Sequence, residues 1–344
     1  MLFGLEWTNY FALHRKFHVK HPDDSTPTTG SLDSPIAREI ADLQRRRHIL
    51  NTPAPQPPTQ TRVIAVSNQK GGVGKTTSTV NLAAALARGG SRVLVIDLDP
   101  QGNASTALGV ADRRQIAGMY DALLQASPLA NVLVRTSEEG ELWLAPSSLD
   151  LAGVEVELME SHPGAFQTVL RDILATLLST EGGRFDYVFI DCPPSLGVLT
   201  VNAFTAATEA LVPIQCEFYA LEGLNQLEVL ISKVNEALNP RLHISSILLT
   251  MYDSRTNLSS DVADFVKQSY GDLVLGTVIP RAVKLSEAPS NNMTVLRYDL
   301  GSVGALAYVE AAYELAARSA IQAAPPPTHP AASPTASIPT KENA

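Results

Sequence analysis

Residues 69–77 read QKGGVGKTT, a short glycine-rich loop that carries two lysines, Lys70 and Lys75. The loop follows a β-branched run, RVIAVS at 62–67, and precedes a helical pattern, TTSTVNLAAALARGG. In this strand–loop–helix context, backbone N–H groups and the helix N-terminus can surround a phosphate. The sequence therefore predicts a phosphate-binding loop at the carboxyl end of a first strand. One lysine is enough to reach a triphosphate, so the second requires an explanation.

Further strand candidates follow along the chain, most of them separated by helical patterns. They are RVLVIDLD (92–99), ELWLAPS (141–147), DYVFIDC (186–192), EALVPIQ (209–215), SSILLTMYD (245–253) and LVLGTVIP (273–280). Several are nearly continuous apolar runs, as expected when helices cover both faces of a sheet. The alternation predicts an α/β fold with one doubly wound, mostly parallel sheet, whose ligand lies at the carboxyl ends of the strands.

Composition divides the chain into three parts. We expect residues 1–60 to be a flexible arm with one short helix, which starts near Ser34 and ends in the basic run 45–47, followed by a proline-rich linker. Residues 61–320 hold the predicted α/β domain with the phosphate-binding loop. Residues 321–344 form an alanine- and proline-rich tail that we expect to be disordered.

Charge and cysteine content limit the classes of function. The 344 residues include 26 lysines and arginines against 35 acids, a net charge of −9, so DNA binding would require a local basic patch. Two cysteines without CxxC spacing are typical of a reducing cytoplasm and disfavour a zinc site. No apolar run is long enough to span a bilayer. We therefore expect a cytoplasmic protein.

The loop departs from the usual P-loop pattern in two ways. Gln69 stands where GxxxxGK[ST] has a glycine, and Lys70 is additional. Lys75 is expected to reach the β- and γ-phosphates, and the Thr76 hydroxyl to bind Mg²⁺. KGGVGKTT resembles the deviant Walker A loop of the ParA/MinD group of ATPases. In that group the lysine at the position of Lys70 reaches across a dimer to the nucleotide of the other subunit.

This resemblance implies ATP and Mg²⁺ as cofactors. The implied nucleotide-binding residues are Lys70, Gly71, Gly72, Val73, Gly74, Lys75, Thr76, Thr77 and Pro280. Two acids complete the implied catalytic set with Lys70. Asp99, in VIDLDPQGNAS, matches the residue that positions the attacking water, and strand alternation favours it over Asp97. Asp191, in DYVFIDCPPSLG, matches the Walker B acid that orients Mg²⁺ through a water. We expect slow hydrolysis that a partner accelerates, because no strong general base is visible.

Several further segments resemble the Soj-like chromosome-partitioning ATPases of the ParA type. They are DLDPQGNAS, IDCPPSLG, EFYALEGLNQL, LTMYDSRTNLS and VIPRAVKLSEAPS, within roughly residues 62–318. The resemblance implies an ATP-dependent homodimer that binds double-stranded DNA without sequence preference. A ParB-type centromere-binding protein would stimulate hydrolysis and release the dimer from the nucleoid. The sequence does not decide between a chromosome and a plasmid, or locate the ParB-binding surface.

The resemblance places DNA contacts at Arg255 and Lys284, with Arg281 nearby. Residues 255–299 carry five basic and five acidic residues, so their composition alone does not indicate a basic patch. Ala282 stands where similar sequences have asparagine, which leaves Pro280 and the main chain to contact the base.

Two other functions stay open within the same group of ATPases. A MinD-like positioning ATPase would act at a membrane or cell pole, but the alanine- and proline-rich C-terminus does not resemble its amphipathic membrane helix. An iron–sulfur electron carrier of the nitrogenase type would need two ligating cysteines per chain. We expect Cys192 and Cys216 to be core residues instead.

Phe17–Lys20 reads FHVK, which the palindromic codons TTT CAC GTG AAA would encode. That string resembles the core of the site that ParB proteins recognise, so the gene itself is a candidate carrier of such a site. A mildly basic, disordered peptide is the alternative, and nucleotide sequencing distinguishes the two. Val19 is also a candidate GTG start codon, which the mass of the native N-terminus would test.

Overall fold

The computed structural model describes residues 35–113, 116–180, 182–217 and 222–318. Residues 1–38 form one unit and residues 39–344 form another, which contains all the features below apart from the start of the first helix. The FHVK stretch and the predicted C-terminal tail lie outside the described residues. The predicted divisions of the chain at residues 60 and 320 remain predictions.

A seven-stranded sheet forms the centre of the second unit. Its strands are β1 (Arg62–Val66), β2 (Arg92–Asp97), β3 (Val134–Arg135), β4 (Glu141–Ala145), β5 (Tyr187–Asp191), β6 (Glu209–Gln215) and β7 (His243–Thr250). The strand order is β3-β4-β2-β5-β1-β6-β7, and every neighbouring pair is parallel except β3 with β4. The predicted fold class, a doubly wound and mostly parallel sheet, is confirmed.

The predicted strand at 273–280 is wrong. Its start is a 3-10 helix, Gly271–Leu273, and it forms two isolated bridges, Ile247 with Val274 and Tyr252 with Pro280. The N–H groups of Leu275 and Ile279 donate to the Ile247 and Leu249 carbonyls of β7, both at 2.8 Å. Between them, the N–H groups of Gly276 and Thr277 donate to the Glu314 carboxylate at 2.7 and 2.9 Å, which interrupts a regular ladder with β7.

Other strand boundaries differ by a few residues from those that the apolar runs predict. The strand β2 ends at Asp97 and is followed by a turn in which the N–H of Gly102 donates to the Asp99 carbonyl at 2.8 Å, and β4 ends at Ala145. The two-residue strand β3 was not predicted, because it has too few residues to show a period.

Helices pack on both faces of the sheet. They are α1 (Pro35–Arg47), α2 (Lys75–Arg88), α3 (Asn103–Ala107), α4 (Met119–Leu123), α5 (Leu129–Val132), α6 (Val154–Ser161), α7 (Val169–Ser179), α8 (Val198–Ala206), α9 (Glu222–Ala237), α10 (Asn257–Tyr270), α11 (Val283–Ser290), α12 (Val295–Tyr298) and α13 (Val303–Arg318). Two buried clusters result, one on each face. Along β1, Val63 and Ala65 belong to the first and Ile64 and Val66 to the second, which explains the uninterrupted apolar runs.

The helix α1 starts at Pro35, next to the start expected near Ser34, and its basic end has defined contacts. Arg46 is 4% exposed and donates to Asp42 at 2.8 Å, to Glu310 at 2.5 Å and to the Val278 carbonyl at 3.3 Å. Arg45 is exposed and shares the same two carboxylates. Arg46 therefore attaches this helix end to α13, and the fully paired, buried guanidinium is not available to DNA phosphates.

Candidate nucleotide site

The glycine loop joins β1 to α2 at the carboxyl edge of the sheet. Gly72 and Gly74 have φ values of +75° and +88°, a region that glycine adopts without strain. Two side chains hold the loop from outside: Thr250 donates to the Val73 carbonyl at 2.8 Å, and Asn68 donates to the Pro213 carbonyl at 2.8 Å. The backbone is therefore fixed by β6 and β7 in the turn that precedes α2.

The two lysines of the loop point to different surroundings. Lys75 is buried, and its Nζ donates to the carbonyl of Lys70 at 3.1 Å, across the loop. Burial lowers the pKa of Lys75, and the charge of Asp191 opposes that shift. The Lys70 side chain leaves the loop, with its Nζ 3.6 Å from a Glu217 carboxylate oxygen. Lys75 therefore faces the interior of the loop, whereas Lys70 lies at its outer surface.

Asp191, at the end of β5, binds two hydroxyls of α2. Thr76 donates to its Oδ2 at 2.8 Å, and Thr79 donates to its Oδ1 at 3.1 Å. Burial, together with the charge of Asp97, raises the pKa of Asp191 to about 8. A threonine hydroxyl beside a carboxylate is a hard-oxygen donor set, which fits Mg²⁺. A bound divalent cation would stabilise the ionised carboxylate that burial disfavours.

Asp97 and Asp99 have different environments. Asp97 is fully buried and accepts from the N–H and hydroxyl of Ser105 at 2.7 and 2.6 Å, and burial raises its pKa to about 6. Asp99 accepts from the N–H of Gln101 at 2.9 Å, and its charge is among those that act on Lys75. Asp97 thus holds the turn after β2, while Asp99 lies at the site. This placement agrees with the choice of Asp99, whose catalytic role remains a prediction.

Each side chain predicted to contact DNA has an acidic partner. Arg255 donates twice to Asp253, at 2.8 and 2.7 Å, and Lys284 donates to Glu287 at 3.0 Å. The Asp253 pKa falls to about 2, mainly because Arg255 donates to it. All three predicted cations are exposed, and Arg281 lies 3.2 Å from the carboxylate that also binds Lys70. The surface is therefore neutralised by paired charges, and its DNA role remains a prediction.

Pro280 bridges to Tyr252, and the N–H of Arg281 donates to the Tyr252 carbonyl at 2.9 Å. This pairing fixes the main chain on which the predicted base contact depends.

Cys192 and Cys216 are buried in the core, and burial raises the pKa of both thiols. In the described ranges, no helix has the length and apolar character needed to cross a membrane.

Sequence reasoning missed two residues that contact the site loops. Glu217 follows β6 and approaches Lys70 and Arg281, but a lone glutamate after a strand carries no signal for that role. Arg113 donates to the Gln101 carbonyl at 2.8 Å and lies against Gly102, whose φ is +63°. A Cβ at Gly102 would lie 1.5 Å from the Arg113 guanidinium, so the DPQG glycine permits this contact.

The fold, the glycine loop and the acids beside it define a P-loop ATPase with an additional loop lysine. A family profile described as "AAA domain" matches residues 61–244. The chain is 50% identical over 257 residues to the chromosome partitioning protein ParA of Caulobacter vibrioides, covering 75% of this chain and 94% of that one. It is 46% identical to the sporulation initiation inhibitor protein Soj of Bacillus subtilis, covering 74% and 98%. This chain belongs to the ParA/Soj family of partitioning ATPases.

Solved structures agree with the fold. A Mycobacterium smegmatis protein titled cobyrinic acid a,c-diamide synthase, with a bound ATP analog and magnesium, is 42% identical, with a TM-score of 0.62 and coverage of 73% of this chain and 92% of that one. The septum site-determining protein MinD of Pyrococcus horikoshii, complexed with Mg-ADP, is 26% identical, with a TM-score of 0.59 and coverage of 74% and 95%. The word synthase names a different activity from that of the Caulobacter and Bacillus proteins, which are more similar to this chain in sequence.

Proposed function

We propose that this chain is a nucleotide-switched partitioning protein. Bound to ATP and Mg²⁺, it forms a homodimer that holds double-stranded DNA without sequence preference. A ParB-type centromere-binding protein stimulates hydrolysis, and the resulting monomers leave the DNA. The protein would work in the cytoplasm on the nucleoid and so move a chromosome or plasmid.

This proposal rests on one observation: the side chains of the two loop lysines point to opposite sides of the loop. Lys75 lies inside the loop, where it can neutralise the phosphates of its own subunit. The Lys70 ammonium lies outside, next to Glu217, where a second subunit can approach it. A cation that contacts the phosphates of a neighbouring subunit makes the triphosphate part of the dimer interface. Nucleotide state can then control association.

The residues around the loop fit a magnesium nucleotide. The backbone from Gly71 to Thr77 would hold the phosphates, and the Thr76 hydroxyl with the Asp191 carboxylate would hold the cation, directly and through water. Magnesium supplies neutralisation of charge on the transferring phosphoryl group. Asp99, next to the loop, would orient the attacking water.

Lys70→Ala tests the switch. The variant should bind ATP, because Lys75 and the loop backbone remain, but size-exclusion chromatography with ATP and Mg²⁺ should show a monomer. DNA retention should fall with dimerisation. Asp99→Ala is the matched variant: it should hydrolyse slowly and stay dimeric and bound to DNA. An ATP-dependent dimer of unchanged strength in Lys70→Ala would reject the proposed role of that lysine.

A MinD-like positioning ATPase is the other function that this fold supports. DNA retention and liposome flotation, each with ATP and Mg²⁺, separate the two. Retention on DNA without flotation supports the partitioning function, and flotation without DNA retention supports the positioning function.

A further inference from the structure

Three large apolar side chains lie exposed within one short stretch of the chain. Leu149 begins the 3-10 helix Leu149–Ala152, and Val156 and Met159 lie three residues apart on α6. Residues three apart on a helix share a face, so Val156 and Met159 project together. Val154 and Leu158 of the same helix are buried, so α6 carries one apolar face inward and these two side chains outward. We call Leu149, Val156 and Met159 the α6 surface.

A cleft lies beside the α6 surface. Its volume is about 390 Å³, and Leu149 lines it together with Ala111, Asp112 and Arg113. Arg113 is the side chain that donates to the Gln101 carbonyl and packs against Gly102 in the turn after Asp99. A group that enters the cleft therefore meets an arginine that contacts the turn after Asp99.

A second connection joins the α6 surface to the same loop. Ser147, two residues before Leu149, donates its hydroxyl to the Asp99 carbonyl at 2.7 Å. Its N–H donates to the hydroxyl of Ser105, which in turn binds Asp97. Ser147 therefore links the backbone just before Leu149 to the backbone of Asp99. A third contact reaches the helix that follows the Asp191 strand: Glu155 of α6 accepts from the N–H of Leu199, in α8, at 3.3 Å.

The charge around the α6 surface restricts which class of partner can bind there. No lysine or arginine occurs between Arg135 and Arg171. Acids instead surround the apolar side chains, at Asp150, Glu155, Glu157 and Glu160. DNA phosphates and anionic lipid headgroups would be repelled. A second copy would bring the same acids to a symmetric contact, which is also unfavourable. A basic polypeptide segment with a large apolar side chain complements both the charge and the apolar surface.

We propose that the α6 surface, with the Arg113 cleft, is where a basic segment of the ParB-type partner docks to accelerate hydrolysis. The apolar side chain of that segment enters the cleft and its cations pair with the surrounding acids. Docking shifts Arg113 and Ser147, and through them the Asp99 loop. This inference rests on the proposed function, because it requires a partner that stimulates the ATPase.

Met159→Asp and Leu149→Asp test the surface, and Val229→Asp is the control. Val229 is 45% exposed on α9, against 44% for Met159 on α6, so the control introduces the same charge on a helix at the same exposure. The probes are the purified ParB-type protein of the same organism and overlapping synthetic peptides that cover its sequence. The measurements are basal and stimulated ATP hydrolysis, peptide binding by fluorescence anisotropy, and ATP-dependent dimerisation.

Both α6 variants should need at least about tenfold more ParB-type protein for half-maximal stimulation, a loss typical of a central apolar contact. Their basal hydrolysis, dimerisation and DNA retention should match those of wild type and Val229→Asp. Glu160→Lys should also weaken stimulation, and the wild-type effect should fall with added salt. The peptide that binds wild type and fails to bind Met159→Asp should be basic.

Three results would overturn the inference, and they differ from one another. Wild type that no ParB-type protein stimulates would reject the proposed function as well. Normal stimulation of both α6 variants, with wild type stimulated, would reject the surface alone. Loss of ATP-dependent dimerisation in Met159→Asp, with normal thermal unfolding, would assign the surface to a second copy of the chain.

Discussion

Glu217 Oε2 lies 3.6 Å from the Nζ of Lys70, and the other oxygen of the same carboxylate lies 3.2 Å from a guanidinium nitrogen of Arg281. The amide of Gln215 also donates to Glu217, at 2.6 Å. One glutamate thus holds the loop lysine assigned to the partner's nucleotide and an arginine assigned to DNA. In the single subunit, Glu217 pairs with the Lys70 ammonium, which the phosphates of a neighbouring subunit would otherwise bind.

Glu217→Gln should therefore favour the ATP-bound dimer. The ion pair is exposed, so its loss frees Lys70 at a gain of at most about 1 kcal/mol. The ATP concentration that gives half-maximal dimerisation should fall about two- to fivefold, measured by light scattering or analytical ultracentrifugation. Glu236→Gln makes the same change of charge on α9 and should have no effect. Weaker dimerisation in Glu217→Gln would show instead that this carboxylate contributes a contact within the dimer.

The buried carboxylate of Asp191 predicts how stability depends on pH. Its pKa rises from 3.8 to about 8 in the nucleotide-free fold, so the folded state holds a proton that the unfolded chain has released. The contribution of this group is fully present below pH 3.8 and is lost as pH rises through about 8. Asp191→Asn cannot ionise, so the variant does not lose this stability as pH rises. Its amide oxygen can still accept a hydrogen bond from Thr76 or Thr79.

Without nucleotide, Asp191→Asn should unfold at a higher temperature than wild type at pH 8, by about 2–4 °C, which corresponds to about 1 kcal/mol in a domain of about 150–250 residues. The difference should shrink towards pH 5, as followed by circular dichroism. Asp272→Asn, at an exposed site, should show no such trend. With Mg²⁺ and ATP the order should reverse, because the amide is a poorer ligand for the cation than the carboxylate. An equal difference at both pH values would contradict the assignment.

The sequence was sufficient for the parts of this molecule that depend on local pattern. A β-branched strand, a glycine loop and a helix are adjacent in the chain, so the loop and the sheet class follow from QKGGVGKTT and the apolar runs. The family resemblance assigned Asp191, like Thr76, to a magnesium site, and the structure brings the two within 2.8 Å at the carboxyl edge of the sheet.

What the sequence could not supply depends on contacts between distant segments. Glu217 acquires its place only when the turn after β6 folds beside the glycine loop. Arg113 lies 14 residues after Asp99 in the sequence, but only the left-handed backbone at Gly102 brings its guanidinium against the turn after Asp99. The strand predicted at 273–280 was wrong for the same reason. Its apolar pattern was correct, but Glu314 of α13 binds the N–H groups that a strand would have used.

The pairing of Arg255 with Asp253 predicts opposite effects on DNA binding from two neighbouring substitutions. Arg255→Glu should weaken ATP-dependent retention on DNA and lower the salt dependence by about one unit of slope for each lost phosphate contact. Asp253→Asn should strengthen retention, because it releases an arginine that now binds a carboxylate. Arg171→Glu is the control: Arg171 is also exposed and paired with a neighbouring aspartate, but lies on α7. Filter binding across a salt series measures all three. Equal affinity of Arg255→Glu and Arg171→Glu would place the DNA contact elsewhere on the protein.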